Sequence, residues 1–218
     1  MALAIFDLDN TLLEGDSDHA WGEYLVEKKV VDKAIYKTAN DKFLADYQSG
    51  CLDINEYLHF ALKPLAQNPI EDLMTWRKDF FEQIISPIIL PKGRQLIQEH
   101  KSRGDFILII TATNRFVTEI IADDLKVDDL IATEPEKNND GYTGRVSGVP
   151  SFRDGKITRL NTWIEQHNHS LEGSYFYSDS HNDLPLLKIV EHPVAVDPDA
   201  ELSRYCQNAE WPIISLRN

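Results

Sequence analysis

ALAIFDLDNT, at residues 2–11, combines a short apolar run with two carboxylates and a hydroxyl. The apolar part, Ala2 to Phe6, has the length of a buried strand. It is too short for the apolar core of a signal peptide. Asp7 and Asp9 follow this strand at once. Because ligands of parallel α/β sheets bind beyond the carboxyl ends of the strands, this motif predicts a ligand site in an α/β protein.

Beyond this motif, hydrophobic periodicity divides the chain into a helical segment and an alternating segment. From Asp16 to about Ile89, apolar residues recur at helical spacing without a convincing strand. After Pro91, apolar strands alternate with amphipathic helices. Strands are predicted at 106–110, 130–133, 175–178, 194–196 and 212–216, helices at 92–103, 114–125, 157–167 and 182–190, and a hairpin at 142–152.

This alternation predicts the α/β class, with a doubly wound parallel sheet. The catalytic core is expected to comprise residues 1–13 and 90–218. Residues 14–89 are expected to form an all-helical cap, inserted after the first strand and above the ligand-binding edge of the sheet.

The composition limits the partners of the protein. Of its 218 residues, 22 are Lys or Arg and 36 are Asp or Glu, so the formal net charge is −14. Such a field repels nucleic acid and anionic membranes. Two cysteines suggest no disulfide framework, and no stretch approaches the ~20 apolar residues of a membrane helix. We therefore expect a cytoplasmic protein without nucleic-acid or membrane partners, whose anionic ligands need a local positive centre.

The first polar cluster offers two carboxylates with different chemical uses. Asp7 can attack phosphorus, because a carboxylate is already ionised at neutral pH. Asp9 can protonate a leaving oxygen and then take a proton from the attacking water. An acidic turn is the plainer alternative. An EF-hand loop is another, although Leu12 stands where that loop requires glycine.

Two further clusters can bind a phosphate group. Thr111, with the backbone of Ala112 after it, offers a hydroxyl and N–H groups near a helix start, which suits a phosphate oxygen. The alternative is an ordinary helix N-cap formed by Thr113 or Asn114. Lys156 can offset phosphate charge and keep the first carboxylate ionised, although a lone lysine is usually solvated.

The fourth cluster, residues 179–183, follows the strand at 175–178. Asp179 can complete an all-oxygen Mg²⁺ site together with Asp7. Ser180 and Asp183 also form a pattern like a capping box, which predicts a helix start at the same place. Both interpretations are compatible, although capping does not explain Asp179.

The order Asp, Thr, Lys, Asp on these elements resembles the haloacid dehalogenase superfamily, and most of all its phosphoserine-phosphatase-like branch with a helical cap. The resemblance covers the core, and the cap matches only in being helical. It implies an Mg²⁺-dependent hydrolase of small phosphomonoesters that works through an aspartyl-phosphate intermediate. It implies that Asp7 is the nucleophile and Asp9 the acid and base. One departure is Ser178, where the family often has glycine.

The resemblance also assigns the remaining site residues. The Mg²⁺ ligands are the side chains of Asp7 and Asp179 and the backbone carbonyl of Asp9. Thr111 and Lys156 bind the transferring phosphoryl group. Asn182 lies near the substrate, and Asp183 lies near Lys156 or a metal-bound water.

The substrate is predicted from charge around the cap. Phosphoserine is the family's first candidate, but its carboxylate calls for a cation, and the first arginine is Arg77. The segment after the first motif is instead acidic, with Asp16 and Asp18 close to the nucleophile, and would attract an amine. The alternative is that these acids cap and solvate the first cap helix.

Residues 7–25 and 111–115 resemble a bacterial group that includes histidinol-phosphate phosphatases. Histidinol phosphate, an intermediate of histidine biosynthesis, is therefore the leading substrate, with Asp16 as a substrate-binding residue. Phosphoserine remains the alternative. A phospho-acceptor signalling domain is an alternative of another class, against which Asp9 and the lid-like insert argue, because an acid/base group shortens the life of an acyl phosphate.

Overall fold

A computed structural model describes residues 2–217 of the chain. Within them, the strands are β1 (Leu3–Phe6), β2 (Phe106–Asn114), β3 (Asp129–Thr133), β4 (Pro135–Asn138), β5 (Gly141–Val146), β6 (Tyr175–Ser178), β7 (His192–Val196) and β8 (Ile213–Ile214). Six of them form one sheet in the order β3-β2-β1-β6-β7-β8, and each pair of neighbours is parallel. The predicted doubly wound parallel sheet is confirmed. Strands β4 and β5 form a separate antiparallel hairpin.

The helices are α1 (Ser17–Glu27), α2 (Lys33–Gln48), α3 (Ile54–Ala61), α4 (Lys63–Gln67), α5 (Ile70–Phe80), α6 (Pro91–Ser102), α7 (Arg115–Leu125), α8 (Asp154–His167), α9 (Leu184–Leu187) and α10 (Ala200–Ala209). A π-helical turn, Phe81–Ile85, and a 3-10 turn, Ser86–Ile88, follow α5, and another 3-10 turn, His181–Asp183, precedes α9. Among residues 2–217, no helix combines the length and the apolar character needed to cross a bilayer.

The central strands are buried on both faces because alternate side chains point in opposite directions. Ala4 and Phe6 of β1 join the hydrophobic cluster that contains residues of α6 and α7. Leu3 and Ile5 join the cluster that contains residues of α8, α9 and α10. Helices thus cover both faces, and the carboxyl ends of the central strands remain available for a site.

The chain leaves and re-enters the core at one place. Leu13 and Ile89 form an isolated antiparallel bridge, and the Glu14 amide donates to the Ile88 carbonyl at 2.8 Å. Between these two crossings lie helices α1 to α5, which we call the helical insert (residues 14–89). These contacts lie at the boundaries that the sequence predicts for the core and the cap. The division into two domains remains a proposal.

Several predicted boundaries in the second half are wrong. The hairpin predicted at 142–152 lies at 135–146, because β4 is polar and shows no apolar alternation. The strand predicted at 106–110 continues to Asn114 through an irregularity in its pairing with β3. The helix predicted at 157–167 begins at Asp154.

Two more differences lie near the carboxyl terminus. The helix predicted at 182–190 is a 3-10 turn followed by the four-residue helix α9, which has proline in its first turn. Helix α10 has no counterpart in the sequence-based prediction. Its apolar residues Leu202, Tyr205, Cys206 and Ala209 recur at helical spacing and Asp199 caps it, so the sequence contains a usable signal for this helix.

Gly155 allows the start of α8 to pack closely against the preceding loop. A Cβ at this position would lie 2.0 Å from the Pro150 carbonyl oxygen, which is backbone and cannot rotate away. We expect Gly155→Ala to lower the free energy of unfolding by at least about 3 kcal/mol, the upper end of the cost of overpacking. Chemical denaturation followed by circular dichroism measures this loss.

Gly148→Ala is the matched control. Gly148 has a φ of +74° and nothing within 4 Å of an added Cβ, so only backbone strain of about 1 kcal/mol is expected. Equal losses in the two variants would contradict the steric argument.

Candidate active site

The site lies at the carboxyl edge of the sheet, where β1, β2 and β6 end side by side. Asp7 follows β1, Thr111 lies near the end of β2, and Asp179 follows β6. The Thr11 hydroxyl donates to the Asp179 carboxylate at 3.1 Å, and the Asp179 amide lies 3.1 Å from the same hydroxyl oxygen. The first and fourth sequence clusters, 168 residues apart, are therefore in direct contact.

Lys156 lies at the centre of a buried ion-pair network. Its Nζ lies 2.7 Å from Asp7 Oδ1 and 2.7 Å from Asp183 Oδ1, and its side chain is only 2% exposed. The Ser178 hydroxyl donates to Asp183 Oδ2 at 2.7 Å. Ser178, which departs from the family's frequent glycine, thus helps to hold the carboxylate that holds Lys156.

The opposite charges of this network stabilise the ionised form of each partner, which burial disfavours. Burial alone would lower the pKa of Lys156, but the carboxylates of Asp183 and Asp7 overcome it and raise that pKa. Burial raises the pKa of Asp7 to about 7, although Lys156 opposes the shift. Lys156 is therefore a permanent cation, whereas ionised Asp7 depends on nearby positive charge.

Asp9 faces the helical insert and β2. Its Oδ1 accepts from the Ser17 amide at 2.6 Å, and its Oδ2 accepts from the Thr113 hydroxyl at 2.8 Å. The Thr111 hydroxyl lies farther away, at 3.5 Å. Burial raises the pKa of Asp9, and the donors from Ser17 and Thr113 moderate that rise. A carboxyl with a raised pKa is suited to deliver a proton.

A cleft opens above these carboxylates, between the sheet edge and the helical insert. The cleft is partly open to solvent. Its polar lining consists of Asp7, Asp9, Asp16, Asp18, His19, Asn40, Thr111 and Thr113. Ala112 also lines the cleft. Its apolar and aromatic lining consists of Phe43, Leu44, Tyr47, Leu52, Ile54, Tyr57 and Phe152. No lysine or arginine lines the cleft in the part of the chain that the structure describes.

Asp16 is both a helix cap and a lining residue of the cleft, the two roles that the sequence allows. Its Oδ1 accepts from the amides of Asp18 and His19, at 3.0 and 2.8 Å, so it caps α1, and it also lines the cleft. Burial, with repulsion from Asp9, raises the pKa of Asp16 to about 8. Asp18 lies beside it, and burial raises the pKa of Asp18 to about 7.

Two of the predicted substrate ligands lie behind the cleft surface. Lys156 reaches it only through Asp7. Asn182 is 3% exposed; its Oδ1 accepts from Arg153 Nε at 2.9 Å, and its Nδ2 donates to the Tyr47 carbonyl at 3.2 Å. Asn182 thus ties the core to the insert, and its contact with a substrate stays a prediction.

The structure adds cleft residues that the sequence analysis did not select. Thr113 follows Thr111 at the two-residue spacing that places strand side chains on one face, which is a usable signal. Asn114, not Thr113, caps α7. Phe43 and Tyr47 are one turn apart on α2, but periodicity alone does not distinguish a cavity wall from a core.

The acidic cluster at the sheet edge fits a divalent cation. Lys156 pairs with Asp7 and Asp183, whereas the Asp179 carboxylate accepts from the Thr11 hydroxyl. Burial, followed by the negative charges of Asp7 and Asp183, raises the pKa of Asp179 well above its usual range. Oxygen donors with an excess of negative charge bind Mg²⁺ in preference to softer metals.

Comparison with known proteins gives a family and several relatives. Residues 4–188 match the family model of haloacid dehalogenase-like hydrolases. The histidinol-phosphatase of Neisseria meningitidis serogroup C (strain 8013) is 46% identical over 99% of both chains. The phosphoserine phosphatase SerB1 of Mycobacterium tuberculosis (strain ATCC 25618 / H37Rv) is 28% identical over 99% of this chain and 71% of its own. A protein with unknown function from Bordetella pertussis Tohama I has a solved structure with a TM-score of 0.93 at 39% identity, covering 99% of this chain and 98% of that chain.

The buried ion pairs of Lys156 should contribute to the free energy of unfolding. Lys156→Met leaves Asp7 and Asp183 buried without their cation, so we expect a loss of about 3–5 kcal/mol in the free energy of unfolding. Asp183→Asn removes one of the stranded charges. It should therefore destabilise the Lys156→Met protein less than it destabilises the wild type.

Urea denaturation of the two single variants and the double variant, without divalent cations, measures this coupling. Additive losses would show that the two side chains do not interact in the folded protein.

Proposed function

This chain belongs to the haloacid dehalogenase-like hydrolase family and is a phosphatase, and on that premise we propose that its substrate is histidinol phosphate. The resemblance that the four motifs indicate is thereby confirmed. The observation that carries the substrate is the charge of the cleft, in which Asp16 and Asp18 face no lysine or arginine among the described lining residues. Histidinol phosphate presents an ammonium and an imidazole, and it has no carboxylate. The relationship to the meningococcal histidinol-phosphatase supports the same substrate.

The two ends of this substrate match the two walls of the cleft. An ammonium between Asp16 and Asp18 would form charge-assisted hydrogen bonds, each worth about 1.5–3 kcal/mol. It would also favour the ionised form of both carboxyls, whose pKa values burial has raised. The imidazole would pack against the aromatic side chains of Phe43 and Tyr47, which also line the cleft.

We assign the chemistry to the two carboxylates after β1. Lys156 binds Oδ1 of Asp7, which leaves the second oxygen to attack phosphorus while the bond from phosphorus to the substrate oxygen breaks. Asp9 gives its proton to that leaving oxygen. The Asp9 carboxylate then takes a proton from a water that attacks the phosphoryl group, and the bond to Asp7 breaks to release phosphate.

The remaining predicted ligands position the charged groups. The side chains of Asp7 and Asp179 and the carbonyl of Asp9 would hold Mg²⁺. When bound, the ion would offset the negative charge of the phosphate and so permit its approach to a carboxylate. The hydroxyl of Thr111 and the amide of Ala112 would hold phosphoryl oxygens, while Lys156 keeps the nucleophile ionised.

Phosphoserine is the second candidate substrate, supported by the relationship to a mycobacterial phosphoserine phosphatase. The cleft argues against it, because a substrate carboxylate would lie beside acidic side chains without a fixed cation. A phospho-acceptor signalling role is disfavoured by the same cleft, since a stored phosphoryl group needs neither a substrate pocket nor an acid beside it.

The cation requirement can be tested directly. We expect exhaustive chelation to abolish p-nitrophenyl phosphate turnover and Mg²⁺ to restore it, because Lys156 alone cannot balance phosphate and the acidic cluster. Asp179→Ala should require more Mg²⁺ for half-maximal activity than the wild type does. Asp140→Ala, an exposed acid outside the cleft, serves as the control and should keep the wild-type requirement. Full turnover without divalent cations would refute the site.

The substrate proposal predicts a change in specificity. Asp16→Asn and Asp18→Asn remove charge, and an asparagine at residue 16 can still cap α1. We expect each variant to lower the ratio of kcat/KM for histidinol phosphate over phosphoserine by about tenfold to a hundredfold. Asp32→Asn is the matched control, because Asp32 caps α2 and lies outside the cleft.

The outcomes test the substrate assignment and the role of Asp16 and Asp18 separately. If the wild type prefers phosphoserine, the substrate assignment is wrong and the phosphatase assignment stands. If the wild type prefers histidinol phosphate but both variants keep its ratio, the acidic pair does not select the amine.

A further inference from the structure

His19 has an unsatisfied nitrogen at the wall of the cleft. It lies in the first turn of α1 and lines the cleft together with Asp16 and Asp18. Its side chain is 18% exposed, but the Nδ1 atom is fully buried and has no hydrogen-bond partner. Buried polar atoms in folded proteins nearly always have a partner, so this nitrogen requires an explanation.

The other edge of the ring faces two carboxylates at the surface. Nε2 lies 3.9 Å from Glu23 Oε1 and 3.7 Å from Asp41 Oδ1. These three groups are close enough together to suggest a metal site, but the Lys37 ammonium already lies 3.2 and 3.3 Å from the two carboxylates. The acids therefore have a cation, and their remaining effect is to favour the hydrogen of the His19 ring on Nε2. In that tautomer, Nδ1 is an acceptor.

The aromatic wall begins next to His19. The Asn40 side chain donates to the His19 carbonyl at 2.9 Å and fixes α2 against α1. From Asn40 onward, Phe43, Leu44 and Tyr47 follow at the spacing of one helix face, and all line the cleft. A substrate ring that packs against this wall would lie in the same cleft that His19 lines, whereas an ammonium would be attracted to Asp16 and Asp18.

We propose that His19 is a specificity-determining residue that accepts the imidazole N–H of the substrate through Nδ1. This inference rests on the proposed function and deepens it. A substrate with a ring N–H satisfies the buried acceptor, and a substrate whose ring has no N–H leaves it unpaired. Sites built to bind a polar hydrogen reject analogues without one for this reason.

Phenylalaninol phosphate is the matched probe, because it keeps the ammonium and the phosphate ester and replaces imidazole by phenyl. The measured quantity is the ratio of kcat/KM for histidinol phosphate over phenylalaninol phosphate. His19→Phe keeps a ring without nitrogen, and His19→Gln moves the polar group to the position of Nε2. Both should lower the ratio about tenfold or more, mainly through KM. His19→Asn retains an acceptor oxygen near the position of Nδ1 and should keep most of the ratio.

One control and one further test accompany these variants. His59→Phe changes an exposed histidine on α3 outside the cleft and should leave the ratio unaltered. The surface double variant Glu23→Gln, Asp41→Asn leaves the cleft intact but weakens the preference for hydrogen on Nε2. It should lower the ratio about twofold to fivefold, the range expected for exposed charge interactions.

The possible results distinguish this inference from the proposed function. A wild type that turns over p-nitrophenyl phosphate but not histidinol phosphate would overturn the proposed substrate, and this inference with it. A wild type that hydrolyses histidinol phosphate, with the same ratio in His19→Phe, His19→Gln and His19→Asn, would overturn only the role of His19. Equal falls in the ratio for all three variants would also overturn it, because the acceptor position would then have no effect.

Discussion

The buried ammonium of Lys156 is the constraint on which the rest of the site depends. A lysine that is 2% exposed is stable only with its charge compensated, so Asp7 and Asp183 must both lie within hydrogen-bonding distance. These three residues come from the start of α8, the end of β1 and the turn after β6. These side chains come together only because β1 and β6 are neighbours and because α8 starts directly against the loop before it. At residue 155 this close packing leaves room only for glycine. The groups to which we assign the chemistry are therefore also structural groups.

This coupling explains why the central part of the fold and site could be predicted from the sequence. Buried parallel strands are continuous apolar runs, and each is followed by the polar residue that it delivers to the sheet edge. Asp7, Thr111 and Asp179 were recognisable for that reason. Lys156 was recognisable only by its order among them, because nothing local distinguishes it from a solvated lysine. The exact ends of the elements depend on tertiary packing, as the extension of β2 to Asn114 shows.

The aromatic lining of the cleft was beyond sequence reasoning. Phe43 has the same helical spacing as the core residues Trp21 and Phe80, and only the arrangement of α2 and α3 over the sheet makes it a cavity wall. The hairpin β4–β5 was predicted too far along the chain for a different reason, because β4 is polar and has no apolar alternation. For Asn182, the sequence could not reveal the hydrogen bonds with Arg153 and with the Tyr47 carbonyl of the insert.

The electrostatics of the cleft connect stability with the choice of ligand. Burial raises the pKa of Asp7 and Asp18 to about 7 and that of Asp16 to about 8. A carboxyl whose pKa is higher in the folded than in the unfolded state stabilises the fold while it is protonated. That contribution is lost as the pH rises from about 4 toward 7 or 8, where the folded protein must carry the charges itself. A ligand that brings positive charge removes this penalty, and one that brings a further carboxylate increases it. The same surplus of acid that lowers the stability of the fold at neutral pH is the basis on which we propose a divalent cation at the sheet edge and an amine-bearing substrate in the cleft.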